Sequence, residues 1–332
     1  MNVCIFTIGG FGIGNGHIYR MNNLINQMKE ADLNTFHVSF VSLNDNSLIN
    51  DLVKDLFANE ELLFISMSEM IFDNYSDFDL YIFDVLSNIN HDFLTHLSNK
   101  NKKVLLVDYI GDFFDHDFVY LNPLYFNTLL PESVVSVEGF DFPLINKDFY
   151  NNSHVFSQRV SKICVLQGGT DPHEMIPYLL NSSFMKVFEM FFRNVQIDIF
   201  ISKSSGKIEK YREIFGEFGV INVIATAENL ADHFYKYDLA ISSAGISIYE
   251  LCASNVPTLI VTGEMKEIET AKRFHDKGYA LFIGYKSFFL KIKMYFFLVL
   301  MILVPFRRKN YSLTTKKKFI YQSFHNVLRC LK

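Results

Sequence analysis

Gly9-Gly10-Phe11-Gly12-Ile13-Gly14-Asn15-Gly16-His17 stands between two readable segments. The apolar run Val3-Cys4-Ile5-Phe6 before it predicts a buried strand, and Ile18 to Met28 after it predicts a helix. Glycines lack Cβ, so such a loop turns tightly and lets a ligand approach the backbone. The helix start offers free N–H groups and a partial positive charge. His17 sits at that start, and histidine is the side chain most often used as a general acid or base. Strand, glycine loop, histidine and helix together predict the first unit of an open α/β sheet with its chemistry at this turn.

The same alternation continues outward. Phe36 to Ser42, Leu62 to Ser66, Asp79 to Asp84 and Lys103 to Asp108 read as strands, with helical sequence at Ser47–Leu56 and Asp92–Leu97. Ligands of such sheets bind at the carboxyl ends of strands. Asp84 and Asp108 close their strands, so both fall on the edge that carries the glycine loop. Asp112 to Ser157, punctuated by Pro123, Pro131 and Pro143, reads as loops and an inter-domain passage. The pattern then restarts: Lys162–Leu166, Val195–Ile201, Val220–Ala225, Leu239–Ser243 and Pro257–Val261 read as strands. Two domains are predicted, 1–157 and 158–332.

The bulk properties exclude several classes. A net charge of −5 provides no global basic field, and no nucleic-acid partner is expected. The four cysteines, Cys4, Cys164, Cys252 and Cys330, form no C-x-x-C pair and read as reduced thiols of a cytoplasmic protein. Residues 1–8 show no basic leader. Met294 to Val304 is apolar but shorter than the roughly 20 residues a span requires. It reads as a packed helix; its basic flank also allows a peripheral membrane contact through 288–318 at the inner face.

Each glycine turn is unspecific alone. The first does not give clean G-x-G-x-x-G spacing, and no Walker lysine follows it. In the second, Gly168, Gly169, Thr170 and Asp171 offer N–H and hydroxyl groups to an anion. In the third, Ser243, Gly245 and Ser247 open a helix carrying Glu250 one turn on, where a carboxylate can accept two ribose hydroxyls. The D-x-D matches at Asp77–Asp79 and Asp115–Asp117 read as incidental, so no metal is assigned.

Their joint order is specific. Gly14-x-Gly16-His17-x-x-Arg20, Gly168-Gly169-Thr170-Asp171-Pro172, Gly245-x-Ser247-x-x-Glu250 with Pro257, and Thr270-Ala271 leading to Lys277-Gly278-Tyr279 resemble a GT-B family. It contains the UDP-sugar hydrolase of pseudaminic acid synthesis and the spore-coat polysaccharide proteins. More distantly the chain is similar to family 28 glycosyltransferases. The resemblance covers about residues 1–285 and implies two Rossmann-like, doubly wound domains facing across a cleft. It also implies a catalytic His17 and nucleotide contacts from Gly245, Ser247 and Glu250.

The chain departs from the hydrolase pattern at Ile8, Val85-Leu86, Tyr109 and Lys266-Glu267. The water-handling half is thus altered more than the nucleotide-binding half. The leading expectation is a UDP-sugar-dependent glycosyltransferase of surface glycan synthesis, without cofactor or metal. His17 is the expected base, acting on an unidentified glycan or lipid-linked acceptor. Gly14, Gly16, Arg20, Asp84, Asp108, Gly168, Gly169, Thr170, Asp171, Ser243, Gly245, Ser247, Glu250 and Glu267 are expected to bind substrate. The alternatives are a UDP-sugar hydrolase and a catalytically idle nucleotide-sugar binder.

Overall fold

The computed structural model describes residues 1–332 except 10–14, 34, 42–46, 71, 76, 87–88, 125–129, 227–229 and 332. The first apolar run forms β1 (Asn2–Ile8), buried at every residue after Asn2. Strand side chains alternate between faces. Val3 and Ile5 pack with Ile18, Met21, Leu24 and Ile25 of the helix α1 (Gly16–Lys29). Cys4, Phe6 and Ile8 join an aromatic core with Phe83 and Phe93 on the other face. Around β1 the sheet adds β2 (Thr35–Val41), β3 (Glu61–Ile65), β4 (Leu80–Asp84), β5 (Lys103–Val107), β6 (Val119–Asn122) and β7 (Val135–Glu138). All neighbours are parallel, in the order β3-β2-β1-β4-β5-β6-β7. Helices α2 (Ser47–Leu56) and α3 (His91–Asn99) provide crossovers.

The second sheet comprises β8 (Lys162–Leu166), β9 (Gln196–Ser202), β10 (Ile221–Thr226), β11 (Leu239–Ser242), β12 (Thr258–Thr262) and β13 (Leu281–Tyr285). It is also parallel, in the order β10-β9-β8-β11-β12-β13. Its unit carries α4 (Asp148–Asn151), α5 (Met175–Leu179), α6 (Ser182–Phe192), α7 (Ile208–Phe215), α8 (Ala231–Phe234), α9 (Ile246–Ala253), α10 (Glu267–Asp276), α11 (Leu290–Leu303) and α12 (Pro305–Lys318). In both sheets order reverses beside the central strands, β1/β4 and β8/β11. That is the switch point where doubly wound folds bind ligands.

Three expectations need correction. The stretch 112–157 is not all loop, because β6 and β7 extend the first sheet. β12 does not close the second series; β13 follows, with a register shift beside it and Gly284 at φ 147°. The division falls at Ile145/Asn146 rather than 157/158, and Gln322–Lys332 returns to the first unit. Physical ties explain both shifts. The His154 N–H donates to the Ser254 carbonyl at 2.7 Å, and Arg308 donates to the carbonyls of Ser157 and Gln158 at 2.9 and 2.8 Å. At the other end α13 (His325–Leu328) and its flanks send Phe324, Val327 and Leu331 into the core containing Ile18 and Met21.

The apolar run 294–304 lies in α11, which Pro305 separates from α12. Proline needs no N–H partner at a first helical position, so it starts α12 without cost. Among the described residues no helix is long and apolar enough to cross a membrane. Cys4, Cys164 and Cys252 are buried free thiols.

Candidate functional site

In the first unit, β4 ends on Asp84 and α1 starts just before His17. His17 Nδ1 lies 2.7 Å from Asp84 Oδ1, and both side chains are buried. An ionised carboxylate only accepts, so Nδ1 carries the proton and Nε2 is left with its lone pair. One helical turn on, Arg20 donates its Nε to Asp84 Oδ2 at 2.7 Å. Its Nη2 also donates to Asp84 Oδ1, and its Nη1 to Asp108 Oδ2. Nη2 stands 3.0 Å from His17 Nδ1; both nitrogens bear protons and both converge on the same carboxylate oxygen. Asp108 Oδ1 additionally accepts the Leu124 N–H at 3.0 Å.

Burial pushes the Asp84 carboxyl upward, but the Arg20 guanidinium and the His17 imidazole outweigh it and hold it below the usual carboxylate range. Burial prevails at Asp108, whose carboxyl lies above that range despite Arg20 and the Leu124 N–H. Arg20 loses hydration, yet its two carboxylate partners fix it in the charged form. Leu86 and Asp108 adopt left-handed φ values of 58° and 46°, so backbone strain accompanies both strand exits. Thr7 pairs in register with Asp84, and its buried Oγ1 has no partner among the described residues.

Arg20, Asp84 and Asp108, expected to touch substrate, are instead fully buried and bonded to one another. Gly16 is exposed, and an added Cβ would meet nothing within 4 Å. Gly14 lies outside the described residues.

The second unit gathers its candidates at the carboxyl edge of its sheet. Gly168 follows β8 at φ 65°, a conformation that favours glycine, and an added Cβ there would meet open space. Gly169 is exposed, and Thr170 is half-buried. Asp171 differs from expectation: it is buried and accepts the N–H groups of Met175 and Ile176 at 2.8 and 3.0 Å and the Tyr211 hydroxyl at 2.6 Å. Its carboxylate caps α5 and anchors α7.

Gly245 is the N-cap of α9, a helix start with no side-chain cap and no acidic residue in its first turn. That is the polarity an anion needs. Ser243 is buried just before it. The Ser247 hydroxyl bonds Glu250, whose carboxyl burial pushes up to about 7. Glu267 also rises to about 7, through burial and the neighbouring Glu264, although the backbone at Gly263 and Glu264 bonds it. Glu264 pairs with His173 at 3.0 Å and Lys266 at 2.7 Å.

Sequence reasoning missed a second set of residues. Gln167 Nε2, Ser242 Oγ and Thr262 Oγ1 are buried and without a partner among the described residues. They stand at or just beyond the carboxyl ends of the adjacent strands β8, β11 and β12. Unpaired buried polar atoms are costly, and a ligand or water edge is the usual reason for them. Their only sequence signal is a polar residue closing an apolar run. The D-x-D aspartates have local partners: Asp79 accepts the Asn2 N–H at 2.7 Å, and Asp115 the Asp117 N–H at 2.8 Å.

Two parallel sheets of this form, each in a Rossmann-like domain, define the GT-B fold. The chain matches MurG from Acinetobacter baumannii with a TM-score of 0.63 at 14% identity, covering 100% of this chain and 99% of that one. It matches MnaA from S. aureus, solved with UDP, with a TM-score of 0.64 at 11% identity, covering 99% and 95%. In sequence the chain is distantly homologous to the spore coat polysaccharide biosynthesis protein SpsG of Bacillus subtilis. The two are 24% identical over 294 residues, covering 86% of this chain and 84% of that protein. An uncharacterized protein of Methanocaldococcus jannaschii is 20% identical over 286 residues; the match covers 79% of this chain but only 55% of that protein's length. No protein-family model matches the chain.

Proposed function

We propose that the protein is a nucleotide-sugar-dependent glycosyltransferase of polysaccharide biosynthesis, using a UDP-sugar donor and His17 as general base. The observation that carries the reading is the buried His17–Asp84 hydrogen bond at 2.7 Å. It fixes Nδ1 as donor and leaves Nε2 to take a proton from an acceptor hydroxyl. With His17 neutral, Arg20, Asp84 and Asp108 together carry one net negative charge. Arg20, Asp84 and Asp108 are positioning residues in this scheme.

The donor role falls to the second unit. Gly168, Gly169, Ser243, Gly245 and Ser247 surround N–H and hydroxyl groups suited to a diphosphate, which stabilise leaving-group charge. Glu250 accepts ribose hydroxyls. Support for the nucleotide comes from the polar strand ends Gln167, Ser242 and Thr262 and the uncapped start of α9. The structurally similar MnaA was solved with UDP, and a UDP-GlcNAc 2-epimerase from Neisseria meningitidis, TM-score 0.61, with UDP-GlcNAc. The SpsG homology supports a polysaccharide pathway.

Incubation with UDP-sugars, with and without glycan or lipid-linked acceptors, tests the reading. Transfer to an acceptor is expected, with little free sugar in its absence. Rapid release of free sugar without acceptor would instead make water the nucleophile and the protein a hydrolase.

A further inference from the structure

α11 carries two apolar stripes. Leu290, Met294, Leu298, Met301 and Ile302 are buried in the core of the second unit. Ile292, Phe296 and Leu303 also recur at helical spacing, yet are 62%, 62% and 63% exposed. On α6, Val187, Met190 and Phe191 are exposed as well. A groove of about 460 Å³ joins the two helices, lined by Phe184, Val187, Phe191, Phe192, Val299 and Leu303. The surface is preformed, because Phe184 stacks on Tyr295 at 3.7 Å between centroids and Tyr295 donates to the Leu179 carbonyl at 2.9 Å. Contiguous exposed apolar surface of this kind marks an interaction site.

Charge identifies the occupant. From Leu290 to Lys332 the sequence contains no Asp or Glu. Lys293, Arg307, Lys309 and Lys316–Lys318 are exposed along α11 and α12, and Lys186 and Arg193 are exposed on α6. The acidic residue on α6, Glu189, accepts the Gly219 N–H at 2.8 Å. We propose that the α6–α11 face docks on an anionic bilayer surface. Phe191, Phe296 and Leu303 insert at the acyl boundary, and the exposed Lys186 and Arg193 of α6, Lys293 of α11 and Arg307 just beyond it bind headgroup phosphates. The exposed Phe288 and Phe289 extend this face to the carboxyl edge of the second sheet. There Tyr178 donates to the Ser287 carbonyl at 2.8 Å and Lys286 to that of His173 at 3.1 Å. The surface itself stands whether or not the proposed reaction holds.

Sedimentation of the full chain with vesicles tests this. Binding is expected with phosphatidylcholine–phosphatidylglycerol vesicles, not with phosphatidylcholine alone, and it weakens as salt rises. Phe191→Asp with Phe296→Asp abolishes it while leaving the melting temperature near that of the native chain, since both side chains are exposed. Lys293→Gln or Arg307→Gln lowers vesicle affinity about fivefold each. Absence of binding to the anionic vesicles, or full binding by the double Asp variant, would overturn the proposal. So would a concentration-dependent dimer that Phe191→Asp dissociates, because a second copy would then cover the face.

Discussion

At Arg20 three charges meet out of water, and His17 is held by the same carboxylate. Breaking such a cluster from one side is expensive. Arg20→Leu leaves two buried carboxylates without their cation, and urea unfolding is expected to show a loss of about 3–5 kcal/mol. His17→Ala removes the proton acceptor but no charge partner of Arg20. Turnover is expected to fall roughly 10²–10⁴-fold with donor affinity retained. Asp84→Asn keeps the shape but lets the amide favour the wrong tautomer, so turnover falls while His17 stays in place. Glu250 and Glu267 add a pH effect. Each is raised to about 7, so the folded chain binds more protons than the unfolded one between about 4.5 and 7. Their contribution is therefore fully present below that window and lost as pH rises through 7. Asp84 has the opposite sign: its contribution is present above its ordinary pKa and is lost as pH falls through its depressed one. Melting curves from pH 5 to 8, about where Glu250 and Glu267 titrate, should show declining stability that Glu250→Gln flattens.

Among the elements, α11 shows best what a sequence can and cannot reveal. Its apolar character was legible, but an apolar helix does not declare which stripe the core takes. Contacts with α6 and the second sheet decide it. The carboxyl end of α11 depends on Arg308, buried in α12, which donates to the carbonyls of Met301 and Ile302. These are carbonyls that a helix end leaves without intrahelical partners. Arg308→Ala frees them together with those of Ser157 and Gln158, and denaturant unfolding should register a loss of about 1–3 kcal/mol or more. β6 and β7 escaped the sequence reading because four-residue strands beside or between prolines give too short a pattern. β13 escaped because Gly284 interrupts it. Asp84 and Asp108 were legible as strand-closing carboxylates. Their bonding to Arg20 was not, since it joins positions 64 and 88 residues apart. For Asp171 the sequence showed a carboxylate in a glycine turn but not its bonds to the first N–H groups of α5.

Across the whole molecule, the division of labour follows from the two sheets. The first unit places a buried cluster of His17, Arg20, Asp84 and Asp108 at its β1/β4 switch point, and the second places an uncapped helix start and polar strand ends without a partner among the described residues at β8/β11. The fold was legible because β-α alternation is written in local patterns; the chemistry was legible only where a residue type closes a strand or opens a helix. In the proposed function the second unit binds a UDP-sugar for a reaction in which His17 is the base. Thermal-shift titration with UDP-, CMP- and GDP-linked sugars, on the native chain and His17→Ala, tests it most directly when paired with a turnover assay. Ligand at about 100 times its Kd stabilises a protein by roughly 2.7 kcal/mol. A UDP-sugar is expected to raise the melting temperature of both proteins, while only the native chain turns it over rapidly. No shift with any of the nucleotide sugars, or equal turnover in both proteins, would contradict it.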